Sequence, residues 1–99
     1  MQHFRIATYD MTKGTPAETA DLAKAGMLPI FEKQPGFEAY SLIEVDPKTL
    51  VSVSVWESHA EAEAAVKLAA DWVAANLADR VSLKQNIVGD ALFWAGSAS

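Results

Sequence analysis

The chain has 99 residues, of which 51% are hydrophobic and 21% are charged, with a net charge of −5 and no cysteine. This length and composition predict one globular domain with a modest core, and the absence of cysteine excludes disulfides and thiolate metal sites. The net negative charge argues against nucleic acid as a partner. The sequence has neither an apolar run of membrane-span length nor the layout of a signal peptide, so we expect a cytoplasmic protein.

The first predicted elements are a strand and a helix. Residues 3–11 alternate in polarity and are rich in β-forming residues, which predicts a strand. Thr15 and Glu18 have the spacing of a capping box and Pro16 suits the first helical position, so a helix is expected to start here. Pro29 is expected to kink or end its regular turns. The side chains expected to face inward from this helix are Leu22, Met27, Ile30 and Phe31.

The middle of the chain predicts a β-hairpin. The sequence QPGF at 34–37 is a turn signal and leads into a predicted strand at 37–45. The sequence DPKT at 46–49 indicates a second turn, which is followed by a predicted strand at 50–57.

The last two predicted elements are a helix and a long strand. Ser58 and Glu61 have the spacing of a second capping box, which predicts a helix that continues to Asp79. Residues 82–96 are expected to form the final strand, with Gly89 as a bulge or bend.

The order β-α-β-β-α-β predicts an α+β, ferredoxin-like fold with a four-stranded antiparallel sheet and both helices on one face. The other face must then meet water or another subunit. A half-solvated sheet shows polar residues in one register, yet residues 50–56 of the third strand carry no charge on either face, so we expect a homodimer to bury the sheet. One domain is expected over residues 1–96, followed by a flexible tail at 97–99.

Three stretches carry a resemblance to a known family: the first strand, GMLPIFEKQPGFEAYSL at 26–42, and SVWESHAEAEAA at 54–65. With the elements PGF-x-x-Y and WES inside them, they resemble the antibiotic biosynthesis monooxygenase family. The resemblance implies a dimeric α+β barrel in which two ferredoxin-like sheets face each other, with a pocket in each subunit between helices and sheet. It also implies cofactor-independent oxygenation of polycyclic anthrones or quinols, in a family that includes heme-degrading members and proteins with no assigned activity.

Oxygenation without a cofactor requires a pocket that binds an aromatic substrate, assists its deprotonation and excludes water. Trp72 and Asn76 are spaced i, i+4 and share a helix face, which joins an aromatic wall to an amide donor for a phenolate oxygen. We therefore predict both as catalytic residues, with core packing of Trp72 and a helix-end position of Asn76 as the alternatives. The residues predicted to bind substrate are Tyr9, Phe31, Tyr40 and Trp56.

The remaining polar residues do not indicate a cofactor. His3 and His59 are expected to be solvated, and two histidines alone are too few for a metal centre. Arg5 is expected to be an exposed strand residue, with attraction of an acidic substrate as the alternative. Heme is not expected either, because the first strand lacks the asparagine of the heme-degrading relatives and no histidine follows Trp72.

Three functions stay open at this point. The first is a cofactor-independent monooxygenase acting on an aromatic phenolic, anthrone or quinol-like compound. The second is a non-catalytic dimeric protein that binds a small hydrophobic ligand. The third is a structural dimer whose aromatic residues all pack in the core, as Trp56 would at the joint between strand and helix. A cavity with hydroxyl groups pointing inward favours the first two over the third.

Overall fold

A computed structural model describes residues 2–96, and it has the predicted β-α-β-β-α-β order. The four strands form one antiparallel sheet in the order β2-β3-β1-β4, which confirms the ferredoxin-like α+β prediction. The predicted tail at 97–99 lies outside the described residues. The elements are β1 (His3–Met11), α1 (Pro16–Glu32), β2 (Phe37–Asp46), β3 (Thr49–Trp56), α2 (His59–Asn76) and β4 (Val81–Asp90).

Both helices begin where local capping chemistry predicts. The Thr15 hydroxyl accepts from the backbone N–H of Glu18 at 3.2 Å, and the Glu18 carboxylate accepts from the backbone N–H of Thr15 at 2.9 Å. The Ser58 hydroxyl likewise accepts from the backbone N–H of Glu61 at 3.1 Å. Within residues 2–96 the reciprocal bond of this second box is not formed, because the Glu61 carboxylate lies against Gly36 instead.

Helix α1 differs from the prediction in two respects. It continues through Pro29 to Glu32, since an exposed proline near a helix end removes one hydrogen bond without stopping the chain. Leu22 does not point inward and is 41% exposed. The buried stripe follows an i, i+4 spacing instead, which leaves Leu22 beside it. The members of this stripe are Thr19, Ala23, Met27 and Phe31.

The last elements are shorter than predicted. Helix α2 ends at Asn76 rather than Asp79, because Leu77 leaves helical geometry and buries its side chain. Strand β4 ends at Asp90 rather than at residue 96. Asp90 pairs with His3, the first residue of β1, and beyond this pair the Ala91 N–H donates to the Gln2 carbonyl at 2.8 Å. The predicted bulge is also misplaced: Gly89 pairs regularly, and the register shift lies between Thr8 and Tyr9.

The two faces of the sheet are covered differently. Arg5, Ala7, Tyr9 and Met11 alternate along β1 and are buried on the face that carries the helices. The opposite side, here named the open face, is uncharged and mainly apolar at its centre, and by register Asp10 and Asp46 bring charge to one end of it. Its central residues, by register, are Phe4, Ile6, Thr8, Ala39, Ser41, Ile43, Val51, Val53, Val55, Gln85, Ile87 and Gly89. Neither helix of the described chain is long and apolar enough to span a membrane.

Candidate functional site

A narrow cavity lies between the two helices and the helix-covered face of the sheet. Its volume of about 20 Å³ is enough for one water molecule. Apolar side chains form most of its wall, but polar groups enter it from three strands. These wall residues are Arg5 and Tyr9 from β1, Tyr40 from β2 and Ser52 from β3, and Trp72 closes the cavity from α2.

Arg5 is the central polar group of this cavity, and it is only 1% exposed. Its Nε donates to the Ser54 hydroxyl at 2.9 Å and its Nη2 donates to the Ser52 hydroxyl at 2.6 Å. The guanidinium carbon lies 5.4 Å from the centre of the Phe31 ring. The third nitrogen, Nη1, is buried and has no partner at hydrogen-bond distance within residues 2–96, although the Tyr9 phenol is close enough to interact with the guanidinium. A guanidinium carries donors on all three nitrogens, so Arg5 has a donor to spare for a ligand.

The electrostatics of the cavity favour an anion. Among the described residues no carboxylate forms an ion pair with Arg5. Burial lowers the pKa of Arg5, but a guanidinium keeps its charge in proteins. Burial also raises the pKa of Tyr9 and the pKa of Tyr40, so both phenols stay neutral at physiological pH. A bound anion would therefore meet one uncompensated cation and two hydroxyl groups.

Three of the residues predicted from the sequence line this cavity: Tyr9, Tyr40 and Trp72. Asn76 does not. It is exposed, and its Nδ2 donates to the backbone carbonyl of Trp72 at 2.9 Å.

Phe31 and Trp56 form an aromatic cluster next to the cavity, and neither lines it. Their rings meet edge to face with centroids 5.3 Å apart, and the Phe31 ring meets Tyr40 in the same way at 5.0 Å. The Trp56 indole N–H donates to the Ser54 hydroxyl at 2.9 Å. Ser54 thus connects Trp56 to Arg5, and Trp56 supports the cavity from behind.

The prediction that Arg5 is exposed is wrong. Its place in the alternation of β1 puts it on the same face as Tyr9, and the strand register sets it opposite Ser54. The small serines of β3 leave room beside Trp56, and the Arg5 guanidinium fills that room. The alternation of β1 in the sequence indicates the face of the sheet on which Arg5 lies. Its position next to the two serines depends on the pairing of β1 with β3.

A wider groove adjoins the cavity on the outside of the subunit. It lies between α1 and β2 and has a volume of about 260 Å³. Ala23, Tyr40 and Leu42 line both spaces, so they form the partition between groove and cavity. The two histidines line neither space.

Comparisons with known proteins agree with this architecture. A family model described as antibiotic biosynthesis monooxygenase matches residues 3–72. A search among curated proteins found no match. Among solved structures, the chain is similar to SnoaB, a cofactor-independent oxygenase from Streptomyces nogalater. The two share 19% identity and a TM-score of 0.71, and the match covers 97% of this chain and 98% of SnoaB.

Two further structures share the fold. HapK from Hahella chejuensis matches at 14% identity with a TM-score of 0.66, over 100% of both chains. MupZ from Pseudomonas fluorescens matches at 11% identity with a TM-score of 0.70, over 88% of this chain and 69% of MupZ. At these identities the likeness concerns the fold alone.

Proposed function

The chain belongs to the antibiotic biosynthesis monooxygenase family, and from this premise we propose that it is a cofactor-independent monooxygenase of an aromatic phenolic, anthrone or quinol-like compound. The observation that carries the proposal is the buried Arg5, whose Nη1 has no partner within residues 2–96, in a cavity lined by two tyrosines and a tryptophan. That set of groups matches what the oxygenation of an electron-rich anion requires.

The first chemical step is loss of a proton from the substrate hydroxyl or enol to water in the solvent-open groove. Arg5 stabilises the resulting oxyanion by charge, and the hydroxyls of Tyr9 and Tyr40 donate hydrogen bonds to it. Because the surroundings exclude water, these donors act more strongly than they would in solution. Arg5 therefore lowers the pKa of the bound substrate, and the site needs no strong base.

The electron-rich anion then reduces molecular oxygen. One electron passes to O₂, and the two radicals combine to a hydroperoxide at the activated carbon. Breakage of the O–O bond leaves one oxygen atom on the substrate as a carbonyl and releases the other as water with two substrate hydrogens. The substrate supplies all four electrons, so the reaction needs no external reductant.

The cavity alone is too small for a ring system, since pockets for ligands of this class measure about 300–1,000 Å³. We place the substrate rings in the groove between α1 and β2, with the reacting oxygen directed past Tyr40 and Leu42 toward Arg5. Strand β2 lies at the edge of the sheet, which leaves this partition room to move. Each subunit of the proposed homodimer holds its own site, and the open faces of two subunits meet.

Oxygen uptake tests the proposal. The purified protein is mixed with anthrones, naphthoquinols and catechols, with a metal chelator present and no cofactor added. We expect uptake above the autoxidation rate, and a loss of about 10²–10³-fold in kcat for Arg5→Met, which removes the oxyanion donor. Tyr40→Phe and Trp72→Phe should lose less, and the exposed Lys67→Ala serves as control.

Two outcomes would contradict the proposal: no uptake by the wild type with any compound, or uptake that Arg5→Met leaves unchanged. The variant Asn76→Ala tests whether Asn76 donates the hydrogen bond to the substrate oxygen, as predicted from the sequence. Because the Asn76 amide bonds to the backbone outside the cavity, we assign the donor role to Arg5 and expect Asn76→Ala to retain the rate.

The second candidate is a non-catalytic dimeric protein that binds a small hydrophobic ligand. The groove favours it, because about 260 Å³ stands open to solvent while the polar cavity holds only about 20 Å³. Quenching of tryptophan fluorescence by the same compounds, with no oxygen uptake, would support binding without catalysis.

A further inference from the structure

A cluster of metal-ligating side chains lies away from the cavity, where β1 starts and β4 ends. His3 Nδ1 lies 2.6 Å from Asp90 Oδ1, and His59 Nδ1 lies 2.8 Å from the same oxygen. One ligand atom from each of the three residues falls within 4.8 Å of the others. Two imidazoles and a carboxylate thus converge on one point.

The fold brings these residues together from three elements. His3 is the first residue of β1 and pairs directly with Asp90, the last residue of β4, so their side chains share a face. His59 is the first residue of α2, and the Ser58 cap fixes that helix start above the same face. The positions are set by strand register and helix capping, which are rigid features.

Glu63 completes the cluster from one turn further along α2. Its Oε1 lies 3.1 Å from His59 Nε2, which places a carboxylate where it accepts the Nε2 proton. In that tautomer the lone pair of His59 Nδ1 faces the Asp90 oxygen, and either a proton or a metal ion between them satisfies both atoms. A carboxylate behind a ligating histidine is the arrangement that orients imidazoles in metal sites.

The charges of the cluster agree with a cation site. Two carboxylates face two imidazoles that are neutral when unprotonated. Two formal negative charges therefore lie next to the point where the three ligand atoms meet, which favours a cation there.

We propose that His3, His59 and Asp90 bind a divalent transition-metal ion such as Zn²⁺, with Glu63 holding His59 from behind. Zinc takes imidazole nitrogen and carboxylate oxygen at about 2.0–2.2 Å in a tetrahedral arrangement, which leaves the fourth position to water. Ligand atoms in such a site stand slightly more than 3 Å apart by that geometry. His59 and Asp90 are half-exposed, so small rotations of these two side chains admit the ion.

This proposal differs from the expectation of no metal centre, which was based on the two histidines alone and did not include Asp90. Bound metal ties the end of β4 to the start of α2 and stabilises that corner of the molecule. The site is independent of the oxygenase proposal, whose assay contains a chelator.

Calorimetric titration of the chelator-stripped full chain with Zn²⁺ tests the site. We expect one ion per chain, a higher melting temperature, and with Co²⁺ the intense visible absorption of a tetrahedral complex. His3→Asn and His59→Asn should each weaken binding more than about 100-fold, and Glu63→Gln by about 10–100-fold. The control is Asp71→Asn, which removes an exposed α2 carboxylate outside the cluster.

Far-ultraviolet circular dichroism confirms that each variant is folded before titration. The proposal is overturned if the wild type binds no stoichiometric Zn²⁺, or if the two histidine variants bind as tightly as the wild type. A stoichiometry of one ion per two chains would also overturn it, since all three ligands come from one chain.

Discussion

At the scale of single residues, Arg5 combines a cost in stability with a benefit for ligand binding. Taking an ion out of water costs several kcal/mol, and within residues 2–96 no carboxylate compensates the Arg5 charge. Two serine hydroxyls and the face of Phe31 recover part of that cost. A residue that is unfavourable for folding is expected at a functional site, where the ligand supplies the missing partner.

Arg5→Met should therefore stabilise the ligand-free protein while abolishing anion binding. Methionine fills a similar volume without charge, and replacing buried charge in this way stabilises proteins by about 1–4 kcal/mol. The serine hydroxyls lose a partner at a cost of about 1–3 kcal/mol if they stay unpaired, but they rotate toward other acceptors. We expect a net gain of about 1 kcal/mol in the free energy of unfolding, measured by urea denaturation.

Lys67→Met is the matched control, because it removes an exposed cation and should change the free energy of unfolding by less than about 0.5 kcal/mol. If Arg5→Met instead loses several kcal/mol, Arg5 is a structural residue, and its buried Nη1 is no evidence for a ligand.

At the scale of elements, the contact between α1 and α2 sets the position of the cavity wall. Gly26 of α1 faces the Trp72 indole of α2, and a β-carbon on Gly26 would lie 2.8 Å from Trp72 Nε1. Real side chains do not approach this closely, so the helix contact depends on glycine here. The same contact holds the indole against the cavity that Arg5 enters.

Gly26→Ala should force Trp72 out of its place. Alanine gains up to about 1 kcal/mol in helix propensity, whereas overpacking costs about 1–3 kcal/mol, so a net loss of stability is expected. In a Trp72→Phe background the clashing atoms are absent, and Gly26→Ala should become neutral or stabilising. Urea denaturation of the four proteins gives the coupling energy, and a value near zero would show that Trp72 does not rest on Gly26.

Features that depend on contacts between residues close in sequence could be predicted. Features that depend on pairing with a strand distant in sequence could not. Thr15 and Ser58 cap helices through bonds to residues three positions away, so both helix starts were predicted correctly. The end of β4 at Asp90 depends on where β1 begins, which no local pattern records. The burial of Arg5 likewise depends on its pairing with Ser54 across 49 positions of sequence.

Of the site residues predicted from the sequence, some line the cavity and others do not. Tyr9, Tyr40 and Trp72 were predicted because aromatic residues at strand and helix periodicity mark a pocket wall. Asn76 was predicted from helix spacing alone, but its side chain turns back to the backbone at an exposed helix end.

At the scale of the whole molecule, the open face has to be covered. Its central residues are uncharged, and Ile43 and Ile87 on opposite edge strands are 44% and 45% exposed. The chain that follows β4 adds more apolar surface, with Leu92 at 96% and Phe93 at 83% exposure, while the Trp94 ring lies 5.6 Å from Phe4 on the open face. Apolar area of this extent on a small protein marks an interface.

We expect two copies to pack open face to open face, and a lysine there should separate them. Ile43→Lys and Ile87→Lys place a charge on side chains that are half-exposed in one subunit, so each subunit tolerates them, whereas a dimer would bury both charges without partners. Sedimentation should show a wild-type dimer and monomeric variants.

The matched control is Leu22→Lys, which alters a side chain of similar exposure, 41%, on α1. Because each unpaired charge buried in the dimer costs several kcal/mol, dissociation should be complete at micromolar concentration. Dimers of both β-strand variants would place the interface elsewhere, and the open face would then need another partner.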